Sequence, residues 1–178
     1  MPSPRVSLLE FLRTGKFGGV SLGANISEVK AIFGEPQFIK TGSYGDPICT
    51  WDYWNIRFGY NTESQKVYTI SIEVFHDEDH LDNHGHIRKR FPLDVGIFGV
   101  ESDFEGTKKA LHSAKLHFQQ ISNEPTSEYE TLRLDSGAEF VFRRDLFPNG
   151  LELVLEVLHI YSKEIVTNSP YYSNLENS

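Results

Sequence analysis

Apolar residues recur along this chain in two different periods, and the points where the period changes divide it into elements. Leu8, Leu9, Phe11 and Leu12 give residues 7–14 one apolar side of a first helix, which Gly15 stops. Residues 18–36 then read GGVSLGANISEVKAIFGEP, a turn, a helix start, an amphipathic helix and a helix stop in succession. Asn25 is placed to cap and Glu28, three residues on, to complete a capping box. Val29, Ile32 and Phe33 follow at i, i+3 and i+4 as the apolar face, and Gly34 and Pro36 end the helix. After Pro36 the period falls to two. Residues 37–40, 48–53, 55–60 and 67–75 read as strands, the last with Tyr68, Ile70, Ile72 and Val74 on one face.

The same order then repeats. Residues 103–114 form a helical pattern through Phe104, Thr107, Ala110 and Leu111, with Ser102 or Asp103 as its cap. Residues 115–122, 129–134, 138–144 and 151–161 read as four strands, separated by turn-forming residues, of which Asp135-Ser136-Gly137 is a tight hairpin signal. The expected fold class is therefore α+β, with a helix laid on an antiparallel sheet of four strands, twice in tandem. The expected units are residues 1–90, which include a His-rich loop, and 91–165, followed by a flexible tail over 166–178. The halves share pattern and no residue-level identity. Their free faces, or the two sheets joined, would form a broad surface suited to binding protein.

The helical opening carries a resemblance. Leu22-Gly23, Asn25, Glu28-Val29 and Ile32-Phe33-Gly34-Glu35-Pro36 resemble the opening of beta-lactamase-inhibitor-like and outer-membrane-assembly-lipoprotein (SmpA/OmlA) domains. In those domains Leu-Gly-Met-Ser/Thr precedes Glu-Val and Leu-Leu-Gly-x-Pro; here Ala24 stands for the Met and Asn25 for the Ser or Thr. Together with the run from Leu8 to Leu12, the opening is also similar to small bacterial proteins of the toxin-immunity type. The likeness covers about residues 6 to 75. It implies an α+β fold that works by binding protein and brings no catalytic residues with it.

Composition bounds the rest. The 178 residues are 39% hydrophobic and 13% aromatic, enough for a real core, and no window reaches the roughly 20 apolar residues a membrane helix needs. The first seventeen residues lack the features of a signal peptide and no lipobox cysteine follows, so a cytoplasmic location is expected. Cys49 is the one cysteine and sits in a strand pattern, where a small buried hydrophobe is the expected role. Residues 1–91 hold 10 Lys and Arg against 11 Asp and Glu, and residues 92–178 hold 7 against 14. That acidic second half disfavours nucleic acid as a direct ligand and favours a partner protein with a basic surface.

Candidate chemistry is sparse. Residues 76–86 hold four histidines and four carboxylates, and a helix there would bring His76, His80 and His84 together, with His86 beyond them. The turn-like Asp82-Asn83-His84-Gly85-His86 favours a solvated loop, so no metal and no cofactor is expected; the alternative is a metal- or ligand-binding enzyme built on that loop. No nucleophile, phosphate-loop, dinucleotide or zinc-protease motif is present, so no catalytic residue is assigned. Aromatic residues cluster at Tyr44, Trp51, Tyr53, Trp54, Phe58 and Tyr60, as core packing or as a partner-facing patch rimmed by Asp46 and Asp52. Glu128, Glu130, Asp135, Glu139, Glu152 and Glu156 are expected to line a solvent-facing side of the second sheet. The resulting expectation is a non-catalytic immunity protein that neutralises a cognate toxin, with Asp46, Trp51, Asp52, Tyr53, Trp54, Glu128, Glu130, Asp135, Glu152 and Glu156 as partner-binding candidates. The oligomeric state is left open.

Overall fold

A computed structural model describes residues 6–42, 47–72, 93–94, 103–122, 128–147 and 150–162. The chain runs β1 (Val6–Ser7), α1 (Leu8–Thr14), α2 (Ile26–Phe33), β2 (Phe38–Thr41), β3 (Ile48–Tyr53), β4 (Ile56–Asn61), β5 (Val67–Ile72), β6 (Leu93–Asp94), α3 (Phe104–Ser113), β7 (Phe118–Ser122), β8 (Tyr129–Leu134), β9 (Glu139–Phe147) and β10 (Gly150–Tyr161). The expected tail, and the loop bearing His76, His80, His84 and His86, lie outside the described residues. No helix among those described is long and apolar enough to cross a membrane.

The helix starts follow their chemistry. Ser7 Oγ accepts the Glu10 amide to cap α1, and Gly15 closes that helix at positive φ. Asn25 Oδ1 accepts the Ser27 amide at 2.9 Å while Glu28 Oε1 accepts the Asn25 amide at 2.9 Å, completing the capping box. The buried face of α2 differs from the sequence reading: Ile26 and Val29 are buried, Phe33 is half-buried, and Ile32 is 37% exposed. The inward stripe is thus Ile26, Val29 and Phe33, with Ile32 left at its outer edge.

Eight strands form a single antiparallel sheet in the order β2-β3-β4-β5-β10-β9-β8-β7, so β5 and β10 meet at its centre and join the two halves. A short parallel pairing of β1 with β6, unexpected from sequence, forms a second, two-stranded sheet. In β5 the pairing with β4 slips by one residue at Gly59 and Tyr60, so Val67 joins Ile70 and Ile72 in the core. Tyr68 departs from the face expected for it and lies over Gly59, where an added Cβ would sit 2.8 Å from its ring.

All three helices pack on one face of this sheet. Phe33 of α2 lies 5.3 Å from the Phe58 ring, Phe104 of α3 lies 5.0 Å from Phe142, and Phe11 of α1 reaches Phe17, which contacts Phe58. Ser136 Oγ, in the β8–β9 turn, donates to the Leu12 carbonyl at 2.6 Å and so ties the first helix to the second half. Residues from both halves therefore share one hydrophobic core, and Cys49 is a buried free thiol within it.

Candidate functional site

In an antiparallel sheet, directly opposed residues share a face and their sequence neighbours point to the other. The observed registers therefore generate an unbroken row across all eight strands: Phe38, Asp52, Arg57, Ser71, His159, Glu139, Arg133 and Gln119. On the six inner strands the neighbours of these residues include Phe58, Ile70, Leu158, Phe140 and Leu132, which are buried on the side where the helices pack. The row thus lies on the face the helices leave free.

Two charged groups dominate it. Asp52, only 7% exposed, forms an ion pair with Lys40 Nζ at 2.7 Å and accepts from Arg57 Nε at 3.0 Å. Glu139, also buried, accepts from Arg133 Nε and lies 3.3 Å from His159 Nε2. Burial alone would raise the Glu139 carboxyl, but the hydrogen bonds from His159 and Arg133 and the charge of Arg133 outweigh it and hold the group below the ordinary carboxylate value. Beside the row, in the second half, Val157, Val141, Thr131 and Ile121 form a parallel, mostly aliphatic line. Next to that stand Val154, Arg143 and Tyr129, with Arg143 held by Asp145 at 2.9 Å. The free face is therefore a broad platform of opposed charges bordered by aliphatic and aromatic groups, the mixture that protein interfaces use.

The sequence-derived candidates fall in several places. Asp52 belongs to the row. Tyr53 does not face a partner: it is buried, its hydroxyl donates to the Gly34 carbonyl at 2.8 Å, and burial, with a smaller push from Glu35, raises that hydroxyl above its usual value. Trp51 is half-buried on the helix side, edge-on to Tyr60, and Trp54 sits at positive φ in the β3–β4 turn. The aromatic cluster is thus mainly core packing. Glu130 is not solvent-facing as expected: it is 5% exposed, on the helix side, bound by Arg144 and Gln120. Glu139 likewise is buried. Glu128 and Asp135 are exposed, and Glu156, at a bulge in β10, lies 3.6 Å from Arg143 Nη1. Asp46, Tyr44 and the Glu152 side chain lie outside the description, as do the four histidines proposed as metal candidates.

Sequence reasoning passed over Lys40, Arg57, Arg133 and His159. A signal for two of the ion pairs was present: Asp52 and Arg57 flank the Trp54-Asn55 turn, and Arg133 and Glu139 flank the Asp135-Ser136-Gly137 turn. Opposite charges at matched distances from a hairpin turn are cross-strand partners. A hollow of about 290 Å³, lined by His112, Lys115, Leu116, His117 and Phe118, opens where α3 passes into β7. Among the described residues no three His, Cys, Asp or Glu side chains are grouped to hold a metal ion.

Residues 18–130 match the model of a family described as Domain of unknown function (DUF7738). The matched segment begins just before α2, continues through the first four strands of the sheet, and ends inside β8. No curated protein and no solved structure matches the chain.

Proposed function

We propose that this chain, which belongs to the DUF7738 family, is a non-catalytic binding protein, and specifically an immunity protein that neutralises a cognate bacterial toxin in the cytoplasm. The observation that carries the reading is the helix-free face, where one row of residues crosses all eight strands and carries two groups of opposed charge, around Asp52 and around Glu139, beside an aliphatic line. Such a face offers area, fixed polar partners and apolar contact, as protein recognition requires. Glu139 fits binding better than proton transfer, because its hydrogen bonds with His159 and Arg133 and the charge of Arg133 hold its carboxyl below the ordinary value, so that it stays ionised at neutral pH. The likeness of the helical opening to immunity-type proteins adds support from an independent part of the chain.

We read each half as one helix on four antiparallel strands, of beta-lactamase-inhibitor-like type, with two copies joined through β5 and β10. The sheet order supports that reading, since each half runs inward from an outer first strand to a central last one. The net charge of −8 draws a basic partner at long range, and the paired charges of the row set register at contact.

The test is co-expression with the product of the reading frame immediately upstream, scored by survival and by affinity capture. The wild-type chain is expected to protect and to bind. Arg143→Glu, at an exposed position of the same face, and Val141→Asp are expected to weaken binding at least tenfold while the far-ultraviolet circular dichroism is unchanged. A wild-type chain that neither binds nor protects overturns the proposal.

A further inference from the structure

The two outer strands of the sheet are unlike. β7 presents Gln119 and Gln120, and its Phe118 leans on His112. All four residues of β2 are exposed, with Phe38 at 55% on one face and Ile39 at 59% on the other, and Ile32 of α2 is exposed as well. An outer strand with apolar groups on both faces is a template for a further strand, and natural sheets ordinarily protect such an edge with charge. The one charge here, Lys40, is ion-paired with Asp52 of the neighbouring strand.

We propose that the free edge of β2 takes up an extended segment of the partner protein as a ninth strand, one in which apolar residues alternate with acidic ones. The apolar positions would lie on Ile39 and the half-buried Trp51, which pair across β2 and β3 on one face. The acidic positions would lie on the opposite face at Lys40. Its side chain is 61% exposed and forms an ion pair with Asp52, and an ammonium group of that exposure has room for a second carboxylate. A second copy of this chain fits less well. A twofold pairing centred on Ile39 sets Lys40 opposite Phe38 of the other copy and diagonal to that copy's Lys40, at roughly 7–8 Å, with like charges facing each other. This inference rests on the binding function proposed above and names the part of the surface that the partner extends.

Two eight-residue peptides, one alternating Val with Glu and one alternating Val with Lys, test it by amide chemical shifts of the full chain. The acidic peptide is expected to shift the amides of β2 and to bind at least tenfold more tightly than the basic one. Lys40→Glu is expected to reverse that order, and Ile39→Lys to abolish both. Shifts confined to other strands, equal binding of the two peptides, no binding at millimolar concentration, or a wild-type dimer lost in Ile39→Lys overturns the inference. In a complex with the upstream product, β2 amides are expected to gain protection from hydrogen exchange. A complex that leaves them unprotected overturns the edge while the binding function stands; no complex overturns that function, and the peptides then decide the edge alone.

Discussion

His159 and Glu139 face each other across β10 and β9, with Nε2 3.3 Å from Oε2, and Arg133 holds the same carboxylate from β8. The Glu139 carboxyl is more acidic folded than unfolded, because its hydrogen bonds with His159 and Arg133 and the charge of Arg133 outweigh its burial. The sign follows. A lowered folded value contributes stability above the unfolded carboxylate value and loses it as pH falls through the folded value. Unfolding free energy is therefore expected to decline on the acid side below about pH 4.5. Glu139→Gln is expected to flatten that decline and to remove on the order of 1–3 kcal/mol at neutral pH, as for a hydrogen bond to a charged group. Urea titrations of both forms between pH 3 and 7 measure it, and equal acid limbs would refute the assignment.

Ser136 and Leu12 are 124 residues apart, yet the Ser136 hydroxyl is bonded to the Leu12 carbonyl. This places a polar link between α1 and the turn of the second half's central hairpin. Ser136→Ala is expected to lower stability by about 1 kcal/mol. Its more particular effect should be faster hydrogen exchange at the C-terminal turn of α1, with β3 and β4 unaffected. Uniform acceleration throughout the chain would show that the bond adds global stability alone.

Much of the fold was legible because the local signals and the tertiary structure agree. The Asn25–Glu28 capping box, the glycine stop at Gly34 and the turn at Asp135-Ser136-Gly137 that ends the strand from Tyr129 to Leu134 each predict the element that forms. The turn of Ile32 out of the core was not legible, because helical spacing defines a stripe without saying which edge of it meets Phe58. Nor was the burial of Glu130 and Glu139. Carboxylates on strands read as solvent-facing, and only the position of Arg144, Arg133 and His159 on neighbouring strands makes their burial tolerable. The charged row depends on seven strand registers at once, and the β5–β10 pairing that completes it joins residues far apart in sequence.

Phe58 is fully buried and touches the rings of Phe17, Phe33 and Tyr53, so α2, the preceding turn and the sheet all meet on it. Phe58→Ala is expected to cost about 3–5 kcal/mol by loss of burial and by the cavity left behind. Phe58→Leu keeps most of the volume and is expected to cost less than half as much. Chemical denaturation of the pair checks the ratio; similar costs would mean that the rings contribute through specific edge contacts more than through volume.

Gly59 tests the backbone instead of the core. Its φ needs no glycine, but a Cβ at this position would stand 2.5 Å from Thr69 Cγ2 and 2.8 Å from the Tyr68 ring. Tyr68 lies there because the one-residue slip between β4 and β5 turns it out of the core. Gly59→Ala is therefore expected to destabilise by about 1–3 kcal/mol through overpacking, although alanine alone suits a strand better than glycine does. Tyr68→Ala removes the ring and leaves Thr69 as the remaining obstacle, so the double variant should recover part of the loss. A double-mutant cycle in urea gives the coupling directly, and full additivity would show that Tyr68 is not what the missing side chain accommodates.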